Sequence, residues 1–405
     1  MRAINLILVL IIFSACPLRA QWEHIPTGTV STLWDVYFSD KNTGCIIGNN
    51  GKILKTNDGG ANWNKISMGT SYKIYAMHFI NSSVGIAVGE YKNIIKTEDG
   101  GETWKKKVST SSDWLYDVYL SGDTGYAVGY NGAVWKSDDA GGWGWNEIET
   151  GDSLTSYNSV YFMDGSNGFI AGDKGTIIKT SDGGNNWTKL NTPTTQKLRK
   201  IYFKNNTLGF AIGDSGTILR TDDGGENWSL KNSWAKSTLM DIHFLSSDTG
   251  YIVGDKGLIL FTSNSGGSWQ SVYSGTTSLL TSVYFVSSDA GYIVGSEGTC
   301  LKINNPGTFL SLDESVDANK TILIYPNPVK NELTINIKNA HQAGMAKITV
   351  TLYDIYGKSL FMDKLEHDQF GTISKIYNLQ HLASGIYYLN ISEADKIFAK
   401  KILKF

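Results

Sequence analysis

Three observations predict an all-β chain, a seven-bladed β-propeller followed by a small immunoglobulin-like β-sandwich. A turn signature first seen as KTNDGGANW (Lys55 to Trp63) returns as KTEDGGETW, KSDDAGGWGW, KTSDGGNNW, RTDDGGENW and FTSNSGGSW. Its tryptophans, Trp63, Trp104, Trp145, Trp187, Trp228 and Trp269, are 41, 41, 42, 41 and 41 residues apart. An apolar segment of the WDVYF or SVYF type recurs seven times, each time ahead of two glycines four residues apart, from Gly44/Gly48 to Gly291/Gly295. After KINN the period stops and a new pattern of short apolar strands begins.

Residues 1–20 carry Arg2, the apolar run INLILVLIIF and a small residue at Ala20, the pattern of a secretory leader whose removal leaves Gln21 as the mature N-terminus. The run is too short for a permanent span, so no transmembrane segment is expected in the mature chain. Cys16 after FSA leaves a lipoprotein leader as the alternative, with Phe13 where such signals carry Leu.

Residues 21–303 hold the repeats. Each unit reads strand, Gly turn, strand, Gly turn, strand, Asp-Gly turn, strand. Four strands in about 41 residues is the signature of a propeller blade. The Gly density and β-branched runs exclude helical repeats of similar length. The seventh unit ends at GTCLKI without its Trp turn, while QWEHI near the start stands alone as a fourth strand. The N-terminal strand is therefore expected to complete the last blade and remove its free edge.

The Asp-Gly turn looks at first like a metal loop or phosphate cradle. Six copies, one per hairpin, instead point to geometry. Asp58, Asp99, Asp139, Asp182, Asp223 and Asn264 accept backbone N–H groups, Gly60 takes a positive φ, and the Trp seals the turn. Asn264 suits a cap better than a metal ligand, and neither metal nor cofactor is expected.

Thr56, Asp58, Gly60 and Trp63 form the pattern of the Asp-box, and the repeat resembles that of bacterial neuraminidases. The full unit, VGxxGxIxKTxDGGxxW, is similar to the propellers of photosystem II assembly factors and their non-photosynthetic relatives, from residue 22 to about 303. This implies the fold and leaves the function open. Neuraminidases grip a carboxylate with three arginines, whereas the mature chain has only Arg199 and Arg220. Sialidase activity is thus disfavoured. The same scarcity departs from the arginine-rich patch of the photosystem factors and speaks against a photosystem role.

A polar linker is expected over 304–320. Seven short strands over 321–405, from TILIY to IFAKKILKF, predict the sandwich. Pro326, Asn327 and Pro328 in YPNPVKNELTI, Gly357 in LYDIYGKSL, Gly385 and Tyr387 in LASGIYYLNI, and Lys400 and Lys401 in KKILKF resemble the C-terminal sorting domain of the type IX secretion system. The resemblance implies the type IX machinery as a partner, and a Gram-negative source of the Bacteroidota type. It also implies a secreted or outer-membrane-surface location, commonly with cleavage of the domain. An adhesive sandwich that stays attached is the alternative.

Thirty-six basic and 38 acidic residues give a formal charge of −2; without Arg2 and Arg19 the balance is 34 to 38, or −4. No nucleic-acid partner is expected. Cys45 and Cys300 fall at apolar repeat positions and read as buried thiols, a disulfide between first and last repeats being the alternative. His78 and His243 stand where other units carry Tyr, as packed ring substitutes; the remaining histidines lack zinc spacing. Asp35, Asp117 and Asp241, with Asp113 and Asp152 in loops, are the carboxylates from which a glycosidase pair could come. The equivalence of the first three favours channel lining or capping, and a pair 5 to 10 Å apart in one cleft would favour the enzyme. Trp34, Trp114 and Trp234 beside the inter-blade segments, with Tyr91 and Tyr130 in the facing turns, are the candidate ligand-binding residues. The expected function is a secreted or surface non-catalytic propeller that binds an extracellular protein or glycan. The alternatives are a propeller glycoside hydrolase acting on extracellular polysaccharide, and an envelope assembly factor retained in the periplasm.

Overall fold

The computed structural model describes residues 22–404 apart from 68–70, 108–112, 143, 234, 273, 288–289, 305–320, 327–328, 339–347, 355–357, 366–371 and 394–395. The leader, residues 305–320 of the expected linker, Trp234, Asn327, Pro328 and Gly357 lie outside the described residues, while Asn304, the expected first linker residue, ends the strand Cys300–Asn304. Two compact units emerge, one within 19–307 and one containing 308–405.

The first unit is seven four-stranded antiparallel sheets. Blade 1 comprises Leu33–Phe38, Gly44–Gly48, Lys52–Thr56 and Asn64–Ile66. The first strands of blades 2 to 7 are Ile74–Phe79, Leu115–Ser121, Tyr157–Phe162, Leu198–Phe203, Leu239–Phe244 and Leu280–Ser287. Second strands such as GCIIG and GFIAG are buried from end to end because each is sandwiched between neighbouring blades, which is why they read as continuous apolar runs rather than alternating ones. First strands pack against one another around the ring, blade 1 closing on blade 7.

Closure follows the sequence expectation. Trp22–His24 pairs antiparallel with Cys300–Asn304, Trp22 opposite Ile303, so the seventh sheet takes strands from both ends of the propeller sequence. Trp22 is buried edge-on against Tyr251 and Phe285, at 5.8 and 6.4 Å between ring centroids.

The Asp-box turns are built as geometry requires. Thr56 Oγ1 donates to Asp58 Oδ1 at 2.8 Å and accepts the Gly60 N–H at 2.9 Å, while Asp58 Oδ1 accepts the Asn62 N–H at 2.9 Å. Gly60 has φ +87°, in the left-handed region that favours glycine. Bonds from the side-chain and backbone amides of Asn186 and Asn227 draw Asp182 and Asp223 down to about 2. Asn264 repeats the arrangement, accepting the Ser268 N–H at 2.9 Å. In the longer third copy, Asp139 accepts the Gly144 N–H at 3.2 Å. Trp63, Trp104, Trp187, Trp228 and Trp269 each stand edge-on to the Phe ending their blade's first strand, at 5.8 to 6.1 Å; Trp145 meets Leu120 in one core cluster. Thr56→Val leaves the buried Gly60 N–H without its acceptor and is expected to cost about 1–3 kcal/mol, read from urea denaturation. Thr56→Ser restores the acceptor and should recover most of the loss.

Cys45 and Cys300 are buried and unpaired, and burial pushes their thiols up to about 11 and about 12.

The second unit is a sandwich of a three-stranded and a four-stranded sheet. Leu333, Ile335 and Ile337 of one sheet share a core with Val350, Leu352 and Leu389 of the other. Pro326 follows the strand Thr321–Tyr325, and Gly385 opens the strand Gly385–Glu393. Tyr387 is buried and donates to the Ala383 carbonyl at 2.8 Å. Lys400 and Lys401 lie on the last strand, Lys396–Lys404.

Candidate functional site

The seven first strands bring equivalent residues into rings about the propeller axis. The second position carries Trp34, Tyr75, Tyr116, Asn158, Arg199, Met240 and Thr281. The third carries Asp35, Ala76, Asp117, Ser159, Lys200, Asp241 and Ser282. Together with Trp114 and Lys197 these residues, apart from the buried Ser159, line one cavity of about 310 Å³. The face is set by local chain geometry: the short turn after each second strand bonds back to the approach of the first, as when Asn49 N–H donates to the Thr32 carbonyl at 2.9 Å.

Third-position carboxylates clasp the blades together. Asp35 accepts the Met77 N–H of blade 2 at 2.9 Å, Asp117 the Val160 N–H of blade 4 at 3.1 Å, and Asp241 the Val283 N–H of blade 7 at 2.9 Å. Ser159 Oγ does the same for Ile201 N–H at 3.2 Å. The Lys200 ammonium sits 3.2 Å from Asp117 Oδ2, and its attraction to Asp117, Asp241 and Asp35 outweighs desolvation and raises its pKa.

Asp35 and Asp241 flank Ser282, whose Oγ lies 2.8 Å from one carboxylate and 3.0 Å from the other. A hydroxyl has one proton and can donate to only one of them. A proton held on Asp35 resolves the conflict. Burial, reinforced by Asp241 and opposed by Lys200, pushes the Asp35 carboxyl up to about 7, and burial raises Asp241 as well.

The second-position ring divides in two. Across blades 1 to 3 it is an aromatic arc, with Trp34 and Tyr75 5.5 Å apart and Tyr75 and Tyr116 5.7 Å apart. Trp34 Nε1 donates to Asn49 Oδ1 at 2.7 Å, which anchors the indole to its own turn. Across blade 5 the wall is basic but compensated: Arg199 pairs with Asp214 at 2.8 Å and Lys197 with Asp173 at 3.0 Å. At the fifth position, outside the cavity lining, His78 and His243 stand among tyrosines, 4.4 Å from Tyr119 and 5.1 Å from Tyr284. Burial lowers both imidazoles to about 4. They are the packed rings that the repeat alignment indicates.

Of the candidate binding residues, Trp34 and Trp114 line the cavity. Tyr91 and Tyr130 lie outside its lining, exposed on the short turns Glu90–Lys92 and Tyr130–Gly132 of the same face. Tyr91 packs on Tyr72 at 4.8 Å. Asp152 caps its own loop through Leu154, Thr155 N–H and the Thr155 hydroxyl, and Asp113, like it, is apart from the cavity lining. Sequence reasoning passed over Tyr75, Tyr116, Asn158, Arg199 and Lys200. Their signal was the second and third columns of the aligned first strands, where residue type changes from blade to blade. Among the described residues no group of three or more His, Cys, Asp and Glu is placed to hold a metal ion, and no helix is long and apolar enough to cross a membrane.

Comparison with known proteins bears on both units. The family model described as photosynthesis system II assembly factor YCF48 matches residues 15–104, 61–187, 143–229 and 185–276. The secretion system C-terminal sorting domain matches 323–404, so the second unit is a type IX sorting domain. Among solved structures, YCF48 bound to D1 peptide is 22% identical with a TM-score of 0.60, covering 70% of this chain and 95% of that one. YCF48 from Cyanidioschyzon merolae is 20% identical at 0.58, covering 70% and 98%. The WD40 propeller of Doa1 is 11% identical at 0.58, covering 71% and 97%. These likenesses show the fold. A curated endo-acting ulvan lyase from Formosa agariphila is 26% identical over 97 residues, 24% of this chain and 17% of the lyase, so the chain spans less than a fifth of that relative. With its repeats matched across more than half of its length, the chain belongs to the family of photosynthesis system II assembly factor YCF48 propellers.

Proposed function

We propose that the propeller is a non-catalytic binding module, carried to the cell surface or beyond by its sorting domain, whose protein or glycan ligand seats in the axial cavity. The observation that carries this reading is the aromatic arc Trp34–Tyr75–Tyr116, which opens onto the cavity with Trp114 beside it. A concave site with large rings on one side and a few convergent polar groups on the other is the usual form of a recognition site. That a YCF48 propeller has been solved with a peptide agrees with this use of the fold. The test is a glycan array and a surface-protein pull-down with the full chain beside a Trp34→Ala/Trp114→Ala variant. A specific signal reduced at least about tenfold in the variant is expected, each buried aromatic contact being worth about 1–3 kcal/mol. An equal signal from both proteins would move the site elsewhere.

One observation favours a second reading, a glycoside hydrolase. Asp35 and Asp241 form a close pair and Asp35 has a carboxyl raised to about 7, as a general acid requires. Against it, both carboxylates already bind backbone N–H groups of the neighbouring blade. Release of reducing ends from an extracellular polysaccharide, abolished by Asp35→Asn, would establish the enzyme instead.

A further inference from the structure

The cavity is unevenly charged. Three carboxylates, Asp35, Asp117 and Asp241, face it from the third-position ring, and the ring contains one cation, Lys200. That ammonium bonds to Asp117, on the far side of the axis from Ser282. Arg199 and Lys197 are held by Asp214 and Asp173 from their turns. Among the described residues, no lysine or arginine nitrogen forms a salt bridge with Asp35 or Asp241. With the proton on Asp35, the Asp241 carboxylate is the negative charge on that side without a cation in bonding contact, and that side is where Trp34 follows the wall next to Asp35 and Tyr75 packs against Trp34. Aromatic rings attract an organic cation through their quadrupole, and a neighbouring carboxylate adds to the attraction in a partly desolvated site.

We propose that the axial cavity takes a basic side chain, lysine or arginine, of a protein partner, with its cation between the Trp34–Tyr75 rings and the Asp35–Asp241 pair. The proposal rests on the reading of the cavity as the ligand site. It narrows that reading to a cationic protein segment, because a neutral glycan would leave the charge imbalance uncorrected. Met240 offers the means of testing the sign of the charge. It lines the cavity beside Asp241, is partly exposed, and belongs to none of the hydrogen-bonded clasps.

The experiment titrates the full chain by calorimetry with pentapeptides that differ only at the central residue: lysine, arginine, Nε-acetyl-lysine, glutamate. A glycan array is run in parallel. Lysine and arginine peptides are expected to bind, and acetylation to weaken binding at least about tenfold, the scale of a partly desolvated cation–π contact. Met240→Lys places an ammonium in the cavity and should weaken the lysine peptide by at least as much, while Met240→Glu should strengthen it. Opposite effects of the two charges separate this from a packing role. Preference for the glutamate peptide, with Met240→Lys strengthening it, would overturn the proposal in favour of the Arg199–Lys197 wall and leave the binding module standing. Glycan binding without peptide binding would have the same consequence. Binding of free butylamine as tight as the lysine peptide would overturn the protein partner. Failure of every probe would sink the proposal and the reading of the cavity beneath it.

Discussion

Trp22→Ala is expected to destabilise the propeller by about 3–5 kcal/mol, the range for removing a buried tryptophan. The residue belongs to a three-residue strand, yet its ring is 3% exposed and touches Tyr251 and Phe285, while its backbone pairs with Ile303. Loss of that contact loosens the strand joining the beginning of the propeller sequence to its end, so the last blade should become the first site of proteolysis. Trp22→Phe is the control. Trp22 Nε1 makes no hydrogen bond, so phenylalanine forfeits no polar interaction, keeps an aromatic ring in the site, and should cost about half of what alanine does through the smaller cavity it leaves. Guanidinium denaturation followed by limited proteolysis reads both. Unchanged stability in the alanine variant would mean that closure depends on the first-strand ring alone.

Lys200→Met should cost about 3–5 kcal/mol at pH 8, the penalty for leaving buried charge without its partner, and much less at pH 4.5. The sign follows from linkage. Lys200 lowers the pKa of both Asp35 and Asp241, so its removal raises them further. Asp35 already holds its proton to about pH 7 in the folded state, against an unfolded value near 3.8. Where the folded state binds more protons than the unfolded one, stability falls as pH rises. The variant should therefore track the parent in acid and separate from it steadily between about pH 4 and 8. Denaturant midpoints across that window test it. A loss independent of pH would assign Lys200 a packing role through its aliphatic stem. Adding Asp117→Asn to Lys200→Met removes the stranded carboxylate and should recover part of the loss at pH 8.

How much was legible depended on whether a residue's role is repeated. The Asp-box needed no structure, because six copies at one spacing reveal a turn with its capping side chain, positive-φ glycine and sealing ring. His78 and His243 were readable as rings for the same reason, since tyrosines in the same column fixed what the position requires. The closing strand was readable from the missing fourth strand of the last unit and the solitary Trp22. Arg199 and Lys200 carried no such signal. Each occurs once in its column, and a single cation in a strand is indistinguishable from a solvated one until the facing residues are known. Tyr75 and Tyr116 were similarly hidden among first-strand aromatics, because alternation tells which face a side chain takes but not what stands across the axis.

The sequence by itself determined the all-β class and the seven units, which are set by interactions within one repeat or between successive ones, and also the way the ring closes and the sorting domain, which show as a missing fourth strand and as an ordered set of motifs. Only the tertiary structure decided the site. Asp35 and Asp241 meet at Ser282 because seven blades complete the circle and set blade 1 beside blade 7, joining residues 247 positions apart. Lys200 reaches Asp117 past the intervening blade 4, over 83 positions. Local pattern can count blades, but contact across a ring depends on the angle each blade turns and on the direction in which each side chain projects into the space they enclose.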